Sequence, residues 1–421
     1  MARFQSLDDW LKWQEQLHPR PIDLGLERVE YVYRQLSAHC CKIPTITVAG
    51  TNGKGSSIAY LDAIYRAQGY KVGAFSSPHI LRYNERIQIN GIPVEDAVIC
   101  DAFERIDQIR GEISLSYFEF STLAALLIFA EARLDIQLLE VGLGGRLDAV
   151  NIIDPDVAIV TTIGIDHIEW LGNNLEAIGR EKAGIFRLGK PAIIGDANPT
   201  TSLAAVAVEK NAQVMQLGKQ YHYEKDSGDW SWYTAQTRIS HLPAPAFDGE
   251  HQYRNASAVL AAVDALQSRL PVEYDAIKHG LSQASLKGRF QLIDGPVPVL
   301  LDVAHNPQAI QTLVDHLTRH YPKARIHGVF AMMKDKDIAS VLAMMADKIS
   351  DWYLAPLSNP RAADEGLLLD FFKQQGIQNI HCGYTDVVAT VNDVKTKSQT
   401  GELILVFGSF FLVSEYLAKF N

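Results

Sequence analysis

Along this chain, apolar and β-branched residues gather in short runs of strand length, separated by stretches in which apolar residues recur at helical spacing. From Thr45 to about Gly195 the runs Ile46–Ala49, Val72–Phe75, Ile136–Val141, Val157–Ile163 and Ala192–Ile194 predict strands, and the spacing of Ile58, Leu61, Ile64 and Tyr65 predicts a helix between the first two. Strands that are apolar on both faces and alternate with helices belong to a parallel sheet covered on both sides.

Between about Gln213 and Phe247 the alternation is lost, and Trp230, Trp232 and Tyr233 stand among Asp, Ser, Gly and Thr. This stretch predicts a small antiparallel excursion. A helical segment from Asn255 to Leu270 follows, then Gly288-Arg289-Phe290 and the turn Asp294-Gly295-Pro296. Beyond these the alternation restarts: Val299–Val303, Ile326–Phe330, Trp352–Leu354 and Leu403–Phe407 read as strands, with Ile310, Leu313, Val314 and Leu317 on one helix face. Two α/β domains are expected, residues 1–288 and a smaller one over 289–421. Neither a short-period repeat nor a low-complexity tract interrupts them.

With 421 residues, 47% of them hydrophobic and 21% charged, the chain has material for two cores and no sign of disorder. The net charge of −10 opposes a nucleic-acid partner, whose phosphate backbone needs a basic face. Cys40, Cys41, Cys100 and Cys382 lack metal-binding spacing, so a reduced, cytoplasmic protein is expected. The polar, acidic residues that follow Met1 do not form a signal peptide, and Leu403–Val413 is too short for a membrane helix. Lacking exposed apolar repeats, the chain is expected to be a monomer.

The turn Gly50-Thr51-Asn52-Gly53-Lys54-Gly55-Ser56, set between a strand and a helix, carries the strongest chemical signal. Its glycines let backbone N–H groups approach phosphate oxygens, the helix adds its positive end and Lys54 a mobile charge, so ATP is the expected ligand. The spacing G-x-x-G-K-G-[ST] is shorter than the usual phosphate loop. A loop that only turned the chain would have no need of Lys54 and Ser56.

Parallel sheets bind ligands at the carboxyl ends of their strands. There the sequence places Ser77, Glu140 and Asp166-His167. Glu140 is either a Mg²⁺ ligand or a solvated strand end; His167 is either a ligand, unusual for an ion that prefers oxygen, or a polar loop residue. Read by residue chemistry, Lys182 is an ordinary helix lysine beside Glu181, Asn255 an N-cap and Phe118 core.

The segments Asp23–Arg28, Gly50–Ser56, Ser76–His79, Tyr117–Glu119, Glu140–Asn151, Asp166-His167, Arg180–Ile185, Gly288–Phe290 and Asp302–Pro307 together resemble the dihydrofolate synthase/folylpolyglutamate synthase family of the Mur ligase superfamily. The resemblance implies a P-loop ATPase domain with a mainly parallel sheet plus a small antiparallel sheet, and a smaller Rossmann-like C-terminal domain. It implies nucleotide binding by Gly50, Thr51, Asn52, Gly53, Lys54, Gly55, Ser56, Asn255, Arg289 and Asp302. Ser77, Glu140, His167 and Lys182 match metal ligands for what would be two Mg²⁺ ions, with Lys182 carried as a carbamate. Lys54, His167 and Lys182 then take catalytic roles. Asp23, Leu24, Gly25, Leu26, Ser116, Tyr117, Phe118, Glu119 and Leu147 match the pocket for dihydropteroate or folate.

The implied reaction is ATP-dependent addition of L-glutamate to dihydropteroate and to reduced folates through an acyl phosphate. Three rivals remain at this stage: a synthase that only extends folate tails, a ligase of cell-wall precursors and a non-catalytic nucleotide switch. Only 49 residues precede Gly50, little room for the nucleotide-binding domain a cell-wall ligase would carry.

Overall fold

The computed structural model describes residues 3–36, 42–226 and 228–420. Cys40 and Cys41 lie outside these; Cys100 and Cys382 are free thiols. Seventeen strands are present among the described residues. They are β1 (Thr45–Ala49), β2 (Val72–Phe75), β3 (Ile87–Ile89), β4 (Ile92–Pro93), β5 (Ile136–Glu140), β6 (Val157–Val160), β7 (Pro191–Ile194), β8 (Gln213–Gln216), β9 (Tyr221–Lys225), β10 (Trp230–Thr234), β11 (Arg238–Leu242), β12 (Gln291–Ile293), β13 (Val299–Asp302), β14 (Ile326–Phe330), β15 (Asp351–Leu354), β16 (Ile380–His381) and β17 (Leu403–Phe407).

The chain folds into two compact units, Met1–Ile163 with Asn173–Ala246 and Gln252–Ser285, and Gly164–Gly172 with Phe247–His251 and Leu286–Asn421. The change near Ser285 lies close to the 288/289 boundary read from the sequence. Two short segments of the earlier region, Gly164–Gly172 and Phe247–His251, nevertheless fold with the later one. The first holds only a four-residue helix, Ile168–Leu171, too short to register as a hydrophobic pattern.

In the first unit an eight-stranded sheet runs β4-β3-β2-β5-β1-β6-β7-β8. The strands from β2 to β8 in this order are parallel, while β3 and β4 turn back antiparallel at one edge. Central strands β1, β5 and β6 are buried at every position, as expected of strands covered on both faces. The chain builds outward from β1 in one direction to β2 and β5 and in the other through β6, β7 and β8, so the switch point that opens a crevice lies at β1. Two readings change here. Gln213–Gln216 extends the large sheet in parallel with β7 and is no part of the antiparallel excursion, which is the three-stranded sheet β11-β10-β9. The 157–163 strand stops at Val160, leaving Thr161 and Thr162 as loop.

The helix Tyr117–Ala132 is apolar on all sides and almost wholly buried, the pattern of a core helix. In the second unit a six-stranded sheet runs β12-β13-β17-β14-β15-β16, parallel apart from β12 against β13. Phe330, Trp352, Phe372 and Phe407 meet in its core, with Trp352 edge-on to Phe372 at 4.9 Å between centroids.

Candidate active site

The loop after β1 ends in the helix Lys54–Ala67, whose first intrahelical bond runs from Ser57 N–H to the Gly53 carbonyl. By position, the amides of Lys54, Gly55 and Ser56 have no intrahelical acceptor, the arrangement that suits an anion. Gly53 is left-handed at φ +89°, and a Cβ there would lie 2.6 Å from Asn255 Oδ1. A Cβ on Gly50 would lie 1.8 Å from Thr161 Oγ1. Both glycines are therefore required by close approach. The loop is held further by Thr51 N–H to the Thr162 carbonyl (2.8 Å) and by Thr161 Oγ1 to the Asn52 carbonyl (2.6 Å).

Two lysines converge on one carbonyl of this loop. Lys54 Nζ donates to Gly50 O at 3.1 Å and to Thr51 O at 3.3 Å, and Lys182 Nζ donates to Gly50 O at 3.0 Å. Lys182 is buried, so the surface-lysine reading is set aside. Asn255 is not a cap either: it sits more than a turn inside the helix Glu250–Leu266 and donates to Gln252 Oε1, while Gln252 Nε2 reaches Ser56 Oγ at 3.3 Å.

Glu140 closes β5, is buried, and accepts the Ser77 N–H at 3.3 Å. A solvated strand end is excluded by that burial. The turn after it, Gly142–Leu147, is tied by Asp148, which accepts from Leu143 N–H at 2.8 Å and Val150 N–H at 3.1 Å. Burial drives the Asp148 carboxyl up to about 7, against the pull of those amides and of Lys54. Arg146 N–H donates to the Glu181 carbonyl at 2.8 Å, joining the turn to the helix Leu175–Ala183 that carries Lys182.

A second polar group lies within the same unit. Arg28 bridges Asp23 (Nη1 to Oδ2, 2.5 Å) and Glu119 (Nε to Oε1, 3.0 Å), and His18 adds a bond to Asp23 at 3.1 Å. Glu119 also closes a capping box with Ser116, which fixes the start of the Tyr117–Ala132 helix. Phe118 packs against Phe75, with ring centroids 5.7 Å apart, and its ring occupies the space a Cβ on Gly142 would need. Leu24, Gly25, Leu26, Tyr117, Phe118 and Leu147 are each partly accessible, and Ser116 and Glu119 are buried.

In the second unit, Asp166 accepts from Lys336 Nζ at 2.6 Å, Asn306 Nδ2 at 3.2 Å and the His167 N–H at 2.8 Å, with His305 Nε2 at 3.6 Å. Burial alone would raise its pKa, but the His305 hydrogen bond and the Lys336 and His167 charges hold it well below the usual carboxylate range. Lys336 Nζ also lies 3.5 Å from His167 Nε2. Asp302 closes β13 and accepts Phe290 N–H at 3.1 Å and Ala304 N–H at 2.8 Å. Burial raises its pKa despite the Arg289 charge.

The first unit thus gathers Gly50–Ser56, Lys182 and Asn255 at one loop and joins Ser77 to Glu140. Asp23, Ser116 and Glu119 are linked through Arg28. His167, Arg289 and Asp302 belong to the second unit. Sequence reasoning missed Lys336, Gln252 and the anchoring role of Asp148. Asp148 stood inside the Glu140–Asn151 motif, and Lys336 lies in the loop that follows the strand Ile326–Phe330, a strand end that the same reasoning could have singled out.

Residues 48–263 match the Mur ligase middle domain and residues 288–410 the Mur ligase glutamate ligase domain, which gives the class. The dihydrofolate synthase/folylpolyglutamate synthase of Escherichia coli (strain K12) is 41% identical over 415 residues, 98% of this chain and 94% of its own length. A structure of E. coli FolC in complex with DHPP and ADP superposes with a TM-score of 0.92 at 41% identity, covering 98% of this chain and 97% of that one. A bifunctional folylpolyglutamate synthase/dihydrofolate synthase with Mn, AMPPNP and L-glutamate bound gives 0.90 at 41% identity, covering 98% of each. The chain belongs to the dihydrofolate synthase/folylpolyglutamate synthase family and is an ATP-dependent ligase. Among the described residues no helix is long and apolar enough to cross a membrane.

Proposed function

We propose that this chain joins L-glutamate to dihydropteroate, forming dihydrofolate, and to reduced folates, lengthening their glutamate tails, as a cytoplasmic monomer. The observation that carries the reading is the Gly50–Ser56 turn, where the helix-start amides, Lys54 and the Asn255 side chain meet at backbone that tolerates no Cβ at Gly50 or Gly53. The relatives support the substrates: one was solved with DHPP and ADP, another with AMPPNP and L-glutamate.

In the reaction an acceptor carboxylate oxygen attacks the γ-phosphorus of ATP and ADP leaves, giving an acyl phosphate. The glutamate amine then attacks the acyl carbon, phosphate departs and the amine loses a proton, leaving an amide. Two anions must meet in the first step. Lys54 and the amides of Lys54, Gly55 and Ser56 would offset the phosphate charge and hold the γ-phosphoryl group for in-line approach. Asn255, Arg289 and Asp302 are assigned to the nucleotide. Asp23, Leu24, Gly25, Leu26, Ser116, Tyr117, Phe118, Glu119 and Leu147 are assigned to the pterin-bearing substrate, with the partly accessible Phe118 ring offering a flat apolar face.

The hydroxyl of Ser77 and the buried carboxylate of Glu140 are hard oxygen donors of the kind Mg²⁺ takes. We assign one Mg²⁺ to them; metal-ligand roles are assigned as well to His167 and, separately, to Lys182 as its carbamate, formed when the neutral amine adds to CO₂ and loses a proton. When bound, the ions supply positive charge to the phosphoryl oxygens. Lys182 is buried beside the loop, where an ammonium is costly to desolvate and an anion needs a cation.

The test is ATP-dependent incorporation of labelled glutamate with dihydropteroate and with tetrahydrofolate as separate acceptors. Product from both is expected. Product from tetrahydrofolate alone would leave a tail-extending synthase, and product from neither would reject the reading.

A further inference from the structure

In the second unit, away from any residue assigned above to metal or catalysis, one carboxylate and two imidazoles meet. Asp248 Oδ2 lies 2.6 Å from His316 Nδ1 and 2.8 Å from His320 Nε2, and the three ligand atoms all fall within 4.8 Å of one another. His316 and His320 are four residues apart on the helix Pro307–His320, the spacing that puts two imidazoles on one helix face. Their rings stand 4.6 Å apart.

We propose that Asp248, His316 and His320 bind a borderline divalent cation of the zinc type, with water completing a four-coordinate shell. Two imidazoles and one carboxylate are a donor set such ions take in sites that keep an open position, whereas Mg²⁺ prefers oxygen. Ligand atoms about 2.0–2.1 Å from a tetrahedral ion stand roughly 3.3 Å apart, so the carboxylate needs to withdraw by about 0.7 Å from the His316 nitrogen and about 0.5 Å from the His320 nitrogen as the ion replaces the shared protons.

The surroundings hold the ligands in place. Asp248 Oδ1 accepts the Gly249 N–H at 2.7 Å, which turns Oδ2 toward the imidazoles. The Phe290 ring stacks on His316 at 4.3 Å and 13°. Supports of this kind fix ligand orientation in metal sites. His316 is buried, while the side chains of Asp248 and His320 are 41% and 42% exposed, leaving a path for the ion and for its water. Phe290 lies next to Arg289 and donates its N–H to Asp302, so an occupied site would stiffen the segment assigned above to the nucleotide. The site itself stands whether or not the proposed reaction does.

The experiment titrates the full chain with Co²⁺, without nucleotide and with excess Mg²⁺ to hold oxygen-rich sites, and reads visible d–d absorption. One equivalent with the intense bands of a four-coordinate ion is expected, and Zn²⁺ should displace it. His320→Ala, at a half-exposed position, and Asp248→Ala should each weaken uptake by about tenfold or more, with the circular dichroism of wild type. Absence of such bands in wild type, or unchanged uptake in a folded His320→Ala variant, would overturn the proposal.

Discussion

The side chain of Asn255 stands where a Cβ on Gly53 would have to go: Oδ1 would lie 2.6 Å from that atom. Gly53 is also left-handed, so two penalties coincide at one position. Gly53→Ala should raise the KM for ATP and lower kcat/KM by about a hundredfold, equivalent to about 3 kcal/mol of transition-state stabilisation. Asn255→Ala leaves the loop unstrained and should act mainly on KM. Steady-state kinetics over ATP concentration would separate the two, and equal effects on kcat and KM in both variants would contradict the assignment.

Lys182 donates from a buried position to the carbonyl of Gly50, which Lys54 also engages. If its working form is a carbamate, Lys182→Ala should lose about a hundredfold or more in activity, and a short carboxylate such as acetate should restore part of it. Native-state mass spectrometry in bicarbonate should find the chain heavier by one CO₂. Activity insensitive to both CO₂ depletion and acetate would assign Lys182 a structural role at the loop.

Asp148 gives a pH test. Its folded pKa, about 7, lies above the ordinary carboxylate value because the group is buried. Its contribution to stability is therefore fully present below the unfolded pKa near 4 and is lost as pH rises through about 7. Over that window the slope is at most about 1.4 kcal/mol per pH unit. In the ligand-free protein, wild type should lose melting temperature relative to Asp148→Asn between pH 4.5 and 7 and keep a constant offset above. A difference that stays flat throughout would show that the carboxyl is ionised across the range.

The central strands of both sheets were legible because strands buried on two faces leave continuous apolar runs, whereas the short, partly exposed strands β3, β4, β12 and β16 leave none; the phosphate loop was legible because close backbone approach demands glycine at fixed places. The failures have physical reasons. Gln213–Gln216 is a polar-ended edge strand, and its pairing with β7 is a tertiary choice that leaves no mark on four residues. Asn255 looked like a cap because Asn so often is one, yet the helix gains another turn ahead of it through Glu250–Arg254. Gly164–Gly172 folds with residues far along the chain, and its partner Lys336 is one of several polar residues in the loop after β14, so that its pairing with Asp166 leaves no mark in the sequence. The burial of Lys182 was equally invisible, since a helix of this composition has a polar average.

The Asp166–Lys336 pair is the sharpest test of what that long-range contact contributes. Both side chains are nearly closed to solvent, at 10% and 8% exposure, with Nζ 2.6 Å from Oδ1. Removing one partner leaves a buried charge unpaired, so Lys336→Met should destabilise the second unit by about 3–5 kcal/mol. Asp166→Asn should cost less, since its amide oxygen can still accept from the His167 N–H and Lys336 Nζ, which share Oδ1, while the Asn306 amide at Oδ2 loses its acceptor. Because the carboxyl is held far below the usual range, the pair's contribution should be fully present above the unfolded pKa near 4 and decline progressively as pH falls below it. Denaturant unfolding of wild type, both single variants and the double variant closes the cycle. A double variant less destabilised than the sum of the singles is the expected result, and strict additivity would show that Lys336 and Asp166 act independently.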